Sequence, residues 1–338
     1  MLCVIAPQPG GPEALQIVDR DVPEPAEGEV LVGVVAAGVN RADLSQREGT
    51  YPPPAGVTDI LGMEVAGRIE EVGVGVDGWS AGDPVCALLT GGGYAEFAAV
   101  PAHQLLPAPA GLSLPDAAGL PEAACTVWSN LVDTARLRSG EWLLVHGGAS
   151  GIGTTAIQIG VALGAHVAVT AGSPAKLERC RELGAELAID YHDDDFVGAV
   201  RAGTDGHGAD VVLDIVGAAY LGANVDVLAP DGRLVVIGLQ KGRRAELDLG
   251  TMLARRLTVA ATSLRSRPLA QKAAIVERVR AGVWPMVESA AVRPVIEATF
   301  EVADVVEAHR TLEAGGHVGK ILLSVFSEAD LVARQQAR

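Results

Sequence analysis

The segment Leu144-Val145-His146-Gly147-Gly148-Ala149-Ser150-Gly151-Ile152-Gly153 leaves this chain little choice of architecture. An apolar run ends in a cluster of glycines, and a helical pattern over 151–163 opens directly behind it. Glycines at such a turn let the backbone approach a pyrophosphate, whose charge then meets free amides and the positive end of a helix. Ser150 stands where the middle glycine of a G-x-G-x-x-G fingerprint would be, so the match is imperfect. The context supports it, because strand-like runs at 142–146, 166–170, 210–215, 233–237 and 257–262 alternate with helical stretches. Alternation of this kind predicts a doubly wound parallel sheet, here of six strands, with right-handed crossovers.

The chain before this region is different. It is rich in Gly, Pro and Val, with short β-like runs at 29–36, 65–72 and 94–100 bounded by turn residues, and reads as a compact β domain. After 262 come a helix near 270–280 and β-like runs at 292–300 and 321–325 around a helix at 304–314, a return to the first domain. The expected organisation is a β-rich domain of residues 1–122 and 265–338 and a nucleotide domain of 123–264. Residues 327–338 read as a polar, frayed end.

Charge narrows the partners. Against 26 Lys and Arg stand 42 Asp and Glu, a net charge of -16, which opposes nucleic acid and anionic membranes. No stretch is apolar for long enough to span a bilayer, and the start lacks a basic, apolar leader pattern, so a cytoplasmic location is expected. Cys3, Cys86, Cys125 and Cys180 lie far apart, a pattern of free thiols.

The choice of dinucleotide is readable one strand further on. An acid at the tip of the second strand would hold a ribose 2′-hydroxyl, but the tip here is Thr170-Ala171-Gly172-Ser173-Pro174-Ala175-Lys176. Ser173 can donate a hydrogen bond to a 2′-phosphate and Lys176 can supply a positive charge, which favours NADPH.

Gly62-Met63-Glu64-Val65-Ala66-Gly67, followed by Gly73, resembles the G-H-E-x-x-G segment of the medium-chain dehydrogenase/reductase superfamily. In its zinc alcohol dehydrogenases the His is a catalytic ligand, replaced here by Met63. The companion cysteine ligand corresponds to Asn40 in Gly38-Val39-Asn40-Arg41-Ala42-Asp43, and the four-cysteine structural lobe is missing. None of the seven histidines pairs closely with another histidine or a cysteine, so no metal is expected. Without zinc, alcohol oxidation loses its main source of help, whereas conjugated carbonyls accept hydride and spread the charge.

Further segments resemble the NADPH:quinone oxidoreductases related to zeta-crystallin, and among them the stress-inducible subgroup: Asn40-Arg41-Ala42-Asp43-Leu44, Tyr51-Pro52-Pro53-Pro54, Gly91-Gly92-Gly93, Thr262-Ser263-Leu264-Arg265-Ser266-Arg267 and Gly319-Lys320-Ile321. The resemblance implies a GroES-like β-rich catalytic domain joined to a Rossmann domain, and hydride transfer from NADPH to a quinone-like acceptor. It implies that Gly148, Ser150, Gly151, Ile152 and Gly153 face the pyrophosphate, and that Gly172, Ser173, Lys176 and Tyr191 surround the 2′-phosphate. Ile215, Val216, Gly217, Gly238, Leu239, Gln240, Thr262, Ser263 and Leu264 would meet the ribose and nicotinamide. Asn40, Asp43 and Tyr51 are implied as catalytic residues at the acceptor end, with the Asn40 amide and Tyr51 hydroxyl as donors to a substrate oxygen. Gln46 replaces a Tyr of some bacterial relatives, which alters the expected pocket.

Two rival activities stand beside this reading: reduction of an enone or enal double bond, and a non-enzymatic crystallin-like or RNA-binding role, the latter opposed by the acidic balance. A homodimer or homotetramer is expected, since 257–261 would otherwise be an open edge strand.

Overall fold

The computed structural model describes residues 1–193, 195–329 and 331; most of the expected frayed end lies outside them. In chain order come β1 (Leu2–Ile5), β2 (Gln16–Asp19), β3 (Glu29–Val39), α1 (Arg41–Arg47), β4 (Glu64–Val72), β5 (Pro84–Leu88), β6 (Phe97–Pro101), β7 (Leu105–Pro107), α2 (Leu114–Ala117) and α3 (Pro121–Trp128). Then follow β8 (Trp142–His146), α4 (Gly151–Ala162), β9 (His166–Ala171), α5 (Pro174–Glu182), β10 (Leu187–Asp190), α6 (Phe196–Gly203), β11 (Ala209–Asp214), α7 (Leu221–Val227), β12 (Leu228–Val236), α8 (Leu249–Arg255) and β13 (Thr258–Ala261). The last are α9 (Leu269–Gly282), α10 (Trp284–Glu288), β14 (Ile296–Glu301), α11 (Val305–Ala314) and β15 (Lys320–Ser324). They form two compact units, one of residues 1–125, 265–288 and 294–338, the other of 126–264 and 289–293.

The first unit is organised on β3, a Val-rich strand buried along nearly its whole length. Among the described residues its main sheet runs β14-β15-β3-β4-β5-β7, with β6 also paired to β3. β15 pairs antiparallel with β3, Ile321 opposite Val39, so the chain's last strands do return to the first sheet. Val30, Val32, Val34, Val65, Ile69, Val85, Ile321 and Leu323 fill the core. β-branched residues suit such a surface because their stiff side chains pack well on a pleated sheet.

In the second unit all six strands are parallel, in the order β10-β9-β8-β11-β12-β13. Leu143, Leu144, Val145, Val211, Val212 and Leu213 are fully buried at its centre, as befits a sheet covered by helices on both faces. β10 has no counterpart among the runs picked out from sequence. It is a four-residue, half-buried edge strand, too short to show a period. β12 starts five residues before the predicted 233–237, because the register with β11 shifts between Ala209 and Val211. The bend places Asp231 at φ 63°, held by a two-pronged bond from Arg256 at 2.7 Å on each carboxylate oxygen. Gln158 on α4 exchanges two 2.9 Å bonds with the backbone of Arg293, which ties 289–293 to this unit.

Candidate active site

The C-terminal ends of β8, β9, β11, β12 and β13 lie along one edge of the second unit's sheet. The turn after β8 explains the imperfect fingerprint. Ser150 adopts extended backbone angles as the N-cap of α4; its Oγ accepts from the Gly153 amide at 3.0 Å and donates to the Gly147 carbonyl at 2.8 Å. A cap serine is thus a working substitute for glycine here, worth about 1 kcal/mol to the helix. Gly153 has no substitute: a Cβ there would fall 2.3 Å from the Gly147 carbonyl oxygen. The amides of Gly151 and Ile152 have no acceptor among the described residues and point outward from the start of α4, the donor set a pyrophosphate requires.

At the end of β9, Ser173 caps α5 by accepting from the Lys176 amide at 3.4 Å, which sets Lys176 on the first helical turn. Tyr191 follows β10 and lays its hydroxyl against Gly172, where a Cβ would come within 2.4 Å of that oxygen. Gly172, Ser173, Lys176 and Tyr191 are therefore gathered at one place. Lys241 joins them, its Nζ 5.8 Å from the Tyr191 ring centroid. Sequence reading missed Lys241; the signal was the basic run Lys241-Gly242-Arg243-Arg244 in an otherwise acidic chain.

The remaining residues expected to meet the nucleotide are held largely by backbone contacts. The buried Asp214 carboxylate accepts from the amides of Val216 at 2.6 Å and Gly217 at 3.0 Å, turning the chain after β11; burial raises its pKa despite both bonds. Gly238 packs on Ile215 so closely that a Cβ would meet the Ile215 oxygen at 2.7 Å, and the Gln240 amide donates to that oxygen at 3.3 Å. This brings 215–217 and 238–240 together, with Leu239 exposed. Thr262, ahead of Ser263 and Leu264, donates to Asn130 Oδ1 at 2.6 Å. Free pyrophosphate donors, a side-chain-free Gly172 and two lysines with no acid at the β9 tip fit a dinucleotide with a 2′-phosphate.

In the first unit the expected catalytic residues turn out to be braced by the protein itself. The Asn40 amide donates to Glu64 Oε1 at 2.9 Å and to the Gly38 carbonyl at 3.4 Å, while its oxygen accepts from Lys320 Nζ at 2.6 Å. Both hydrogens of the amide expected to serve a substrate oxygen thus have partners within the protein. Asp43 is fully buried, and its oxygens accept from the amides of Asn40 and Gly62 and from the Tyr94 hydroxyl. Desolvation pushes its pKa up to about 6. Its bond from the Asn40 amide completes a capping box at the start of α1. Tyr51 is half-buried, with the Arg265 guanidinium 5.4 Å from its ring centroid and bonded to its carbonyl at 3.3 Å. Arg265 also donates to Gln46 Oε1 at 2.6 Å, so the Gln46 departure from the family pattern has a definite partner.

Zinc does not fit this donor set. Met63 is buried, Asn40 offers only an amide, and Lys320 Nζ sits 2.5 Å from Glu64 Oε1, placing a fixed positive charge among the residues that would have to hold a cation. Among the described residues no three His, Cys, Asp or Glu gather as a metal cluster.

Many known proteins are similar to this chain. The alcohol dehydrogenase GroES-like domain family matches residues 26–110, and the family described as zinc-binding dehydrogenase matches 151–279. The quinone oxidoreductase of Rattus norvegicus is 31% identical over 93% of this chain and 94% of its own length. A mycocerosic acid synthase-like polyketide synthase of Mycobacterium tuberculosis is 32% identical over 94% of this chain, which spans only 15% of that protein. Among solved structures, Escherichia coli quinone oxidoreductase complexed with NADPH matches with a TM-score of 0.87 at 29% identity, covering 96% of this chain and 100% of that one. The CurK enoyl reductase matches at 0.86 and 26% identity over 96% and 99%. With the rat quinone oxidoreductase matched nearly end to end and both family models matched in order along the sequence, the chain belongs to the quinone oxidoreductase family of the medium-chain dehydrogenase/reductase superfamily.

Proposed function

We propose that this chain reduces a quinone-like conjugated carbonyl with hydride from NADPH, and that it does so without zinc. The observation that carries the reading is the pairing of a 2′-phosphate-ready β9 tip with a first unit whose would-be metal position is filled by Lys320. NADPH, when bound, supplies the hydride. Gly151 and Ile152 offer their amides to its pyrophosphate, and Ser173, Lys176, Tyr191 and Lys241 hold the phosphate end. In the first unit Asn40 and Asp43 fix α1, and the Tyr51 hydroxyl is the donor presented to the acceptor oxygen.

Reduction of a conjugated carbon-carbon double bond is the second reading, favoured by the likeness to an enoyl reductase. Steady-state assays with 9,10-phenanthrenequinone, 1,4-benzoquinone and a simple alkenone separate the two. Quinone turnover well above alkenone turnover is expected; good alkenone turnover with none on quinones would reverse the ranking.

The assembly belongs to the same proposal. β13 ends its sheet with a half-exposed edge, and Leu249 and Leu253 on α8 are 70% and 83% exposed. Such an edge and such leucines suit pairing with a second copy. Light scattering is expected to give a dimer or tetramer mass, and a monomer at micromolar concentration would refute it.

A further inference from the structure

Two buried cations in the first unit have no acid beside them. Arg265 is 6% exposed and Lys272, on α9, is 2% exposed. Both are bound to one residue: Arg265 Nε donates to the Thr90 carbonyl at 2.7 Å, and Lys272 Nζ donates to Thr90 Oγ1. The other partners of Arg265 are the Tyr51 carbonyl, the Gln46 side-chain oxygen and the Tyr51 ring, all neutral. Among the described residues neither cation has a carboxylate within ion-pair distance. Asp43 is a carboxylate whose charge is felt at Arg265, yet its oxygens are taken by Asn40, Gly62 and Tyr94.

Neutral oxygens return little of what it costs to take two like charges out of water. The effect is visible in both groups: burial lowers the Arg265 pKa, and burial together with the Arg265 charge lowers that of Lys272. The arrangement is also incomplete, since a lysine ammonium has three donors and Thr90 takes one. Thr90 leads into Gly91-Gly92-Gly93, and the Gly91 amide has no acceptor among the described residues. Two cations thus meet at a single threonine, with the Tyr51 ring against one of them and an idle amide next in the chain.

We propose that Arg265 and Lys272, joined through Thr90, form an anion site beside Tyr51 that receives the acceptor oxygen on which negative charge develops. The inference rests on the hydride-transfer reading above and deepens it. Hydride adds to the conjugated system of the acceptor, which is reduced as NADPH is oxidised to NADP+. The carbonyl π pair moves onto oxygen, and that oxyanion is the species the two cations hold until a proton from the Tyr51 hydroxyl or from water neutralises it. Preorganised charge aimed at a developing oxyanion is a strong catalytic device because it needs no rearrangement at the moment of reaction. The site selects acceptors whose reduced form is a stable oxyanion, quinones and conjugated enones among them, over isolated ketones.

The test uses the full chain loaded with NADP+ and a chromogenic mimic of the product, 4-nitrophenolate, whose ionised and neutral forms absorb differently. Its uncharged counterpart is 4-nitroanisole. Wild type is expected to bind the phenolate at least roughly tenfold more tightly than the ether. Lys272→Met removes one charge without touching Tyr51 or Gln46 and should abolish most of that preference, with kcat for a quinone falling roughly tenfold to a hundredfold. Arg265→Met should do the same, and Arg265→Lys should restore part of it. Melting temperature and NADPH fluorescence titration check that each variant is folded. Equal binding of phenolate and ether by wild type, or a preference that survives Lys272→Met, overturns the proposal. A fall in quinone turnover confined to Arg265→Met would also overturn it, since Arg265 would then be only a brace for the Tyr51 loop. A wild-type phenolate preference without turnover of any quinone or enone would sink the hydride-transfer reading and leave the anion site standing.

Discussion

Replacing Lys320 by Met offers a severe check on how the first unit is held together. Glu64 is fully buried; its Oε2 accepts from the Glu122 amide at 2.9 Å, and its Oε1 is shared by the Asn40 amide and the Lys320 ammonium. Without the ammonium, a buried carboxylate is left with neutral donors alone, and Asn40 Oδ1 loses its donor. Breaking a buried pair from one side costs about 3–5 kcal/mol. At about 2–4 °C per kcal/mol for a unit of this size, melting should fall by about 6–20 °C. Replacing both partners removes the stranded charge, so Glu64→Gln with Lys320→Met should recover all but about 1–2 kcal/mol, because two buried charges then need no solvation. Circular dichroism during heating and urea titration reads all four members of the cycle. A Lys320→Met protein within about 1 kcal/mol of wild type, or a double variant no more stable than Lys320→Met, would show that the pair is not a buried ion pair of the kind described.

Three further outcomes are expected. Lys176→Ala should weaken NADPH binding roughly tenfold while leaving NADH binding unchanged, as judged by fluorescence titration; an unaltered preference would refute the 2′-phosphate assignment. His146 is buried and neutral, with burial lowering its pKa from 6.5 to about 4, so unfolding takes up a proton in acid. Its contribution is complete above pH 6.5 and is lost as pH falls toward 4, about 1.4 kcal/mol per pH unit within that window; urea unfolding at pH 7, 6 and 5 should show the slope, and His146→Gln should flatten it. Elemental analysis of protein purified without chelator should find far less than one zinc per chain, and a stoichiometric amount would contradict the reading of Met63 and Asn40.

Sequence carried the second unit well because its signals are local. Buried strands such as Leu143 to Val145 read as apolar runs, and each glycine at a strand end has a steric reason that depends on its near neighbours. Leu187–Asp190 escaped because an edge strand of four residues has neither burial nor period to announce it. The site in the first unit was legible as a set of residue types but not as a set of roles. Asn40 and Asp43 share a capping box, which their three-residue spacing allows, yet whether an amide faces a substrate or a neighbouring glutamate depends on Glu64 and Lys320, which lie 24 and 280 positions from Asn40. Arg265 entered only as part of a resembling segment and Lys272 not at all, since an arginine in a loop and a lysine on a helix look solvent-exposed until the fold puts Thr90 between them.

Lys320 has one more implication. A bound metal is a borrowed charge, open to competition from chelators, to exchange with other cations and to scarcity in the cell. A charge carried on a lysine side chain is inherited with the polypeptide and is present in every molecule as soon as it folds. A protein built this way should keep working in media stripped of transition metals and in the presence of strong chelators. The same permanence is a restriction, for an ammonium cannot open a coordination position to polarise an unactivated alcohol or ketone. On the function proposed above, freedom from metal supply and confinement to substrates that already carry their own activation are two faces of the same residue.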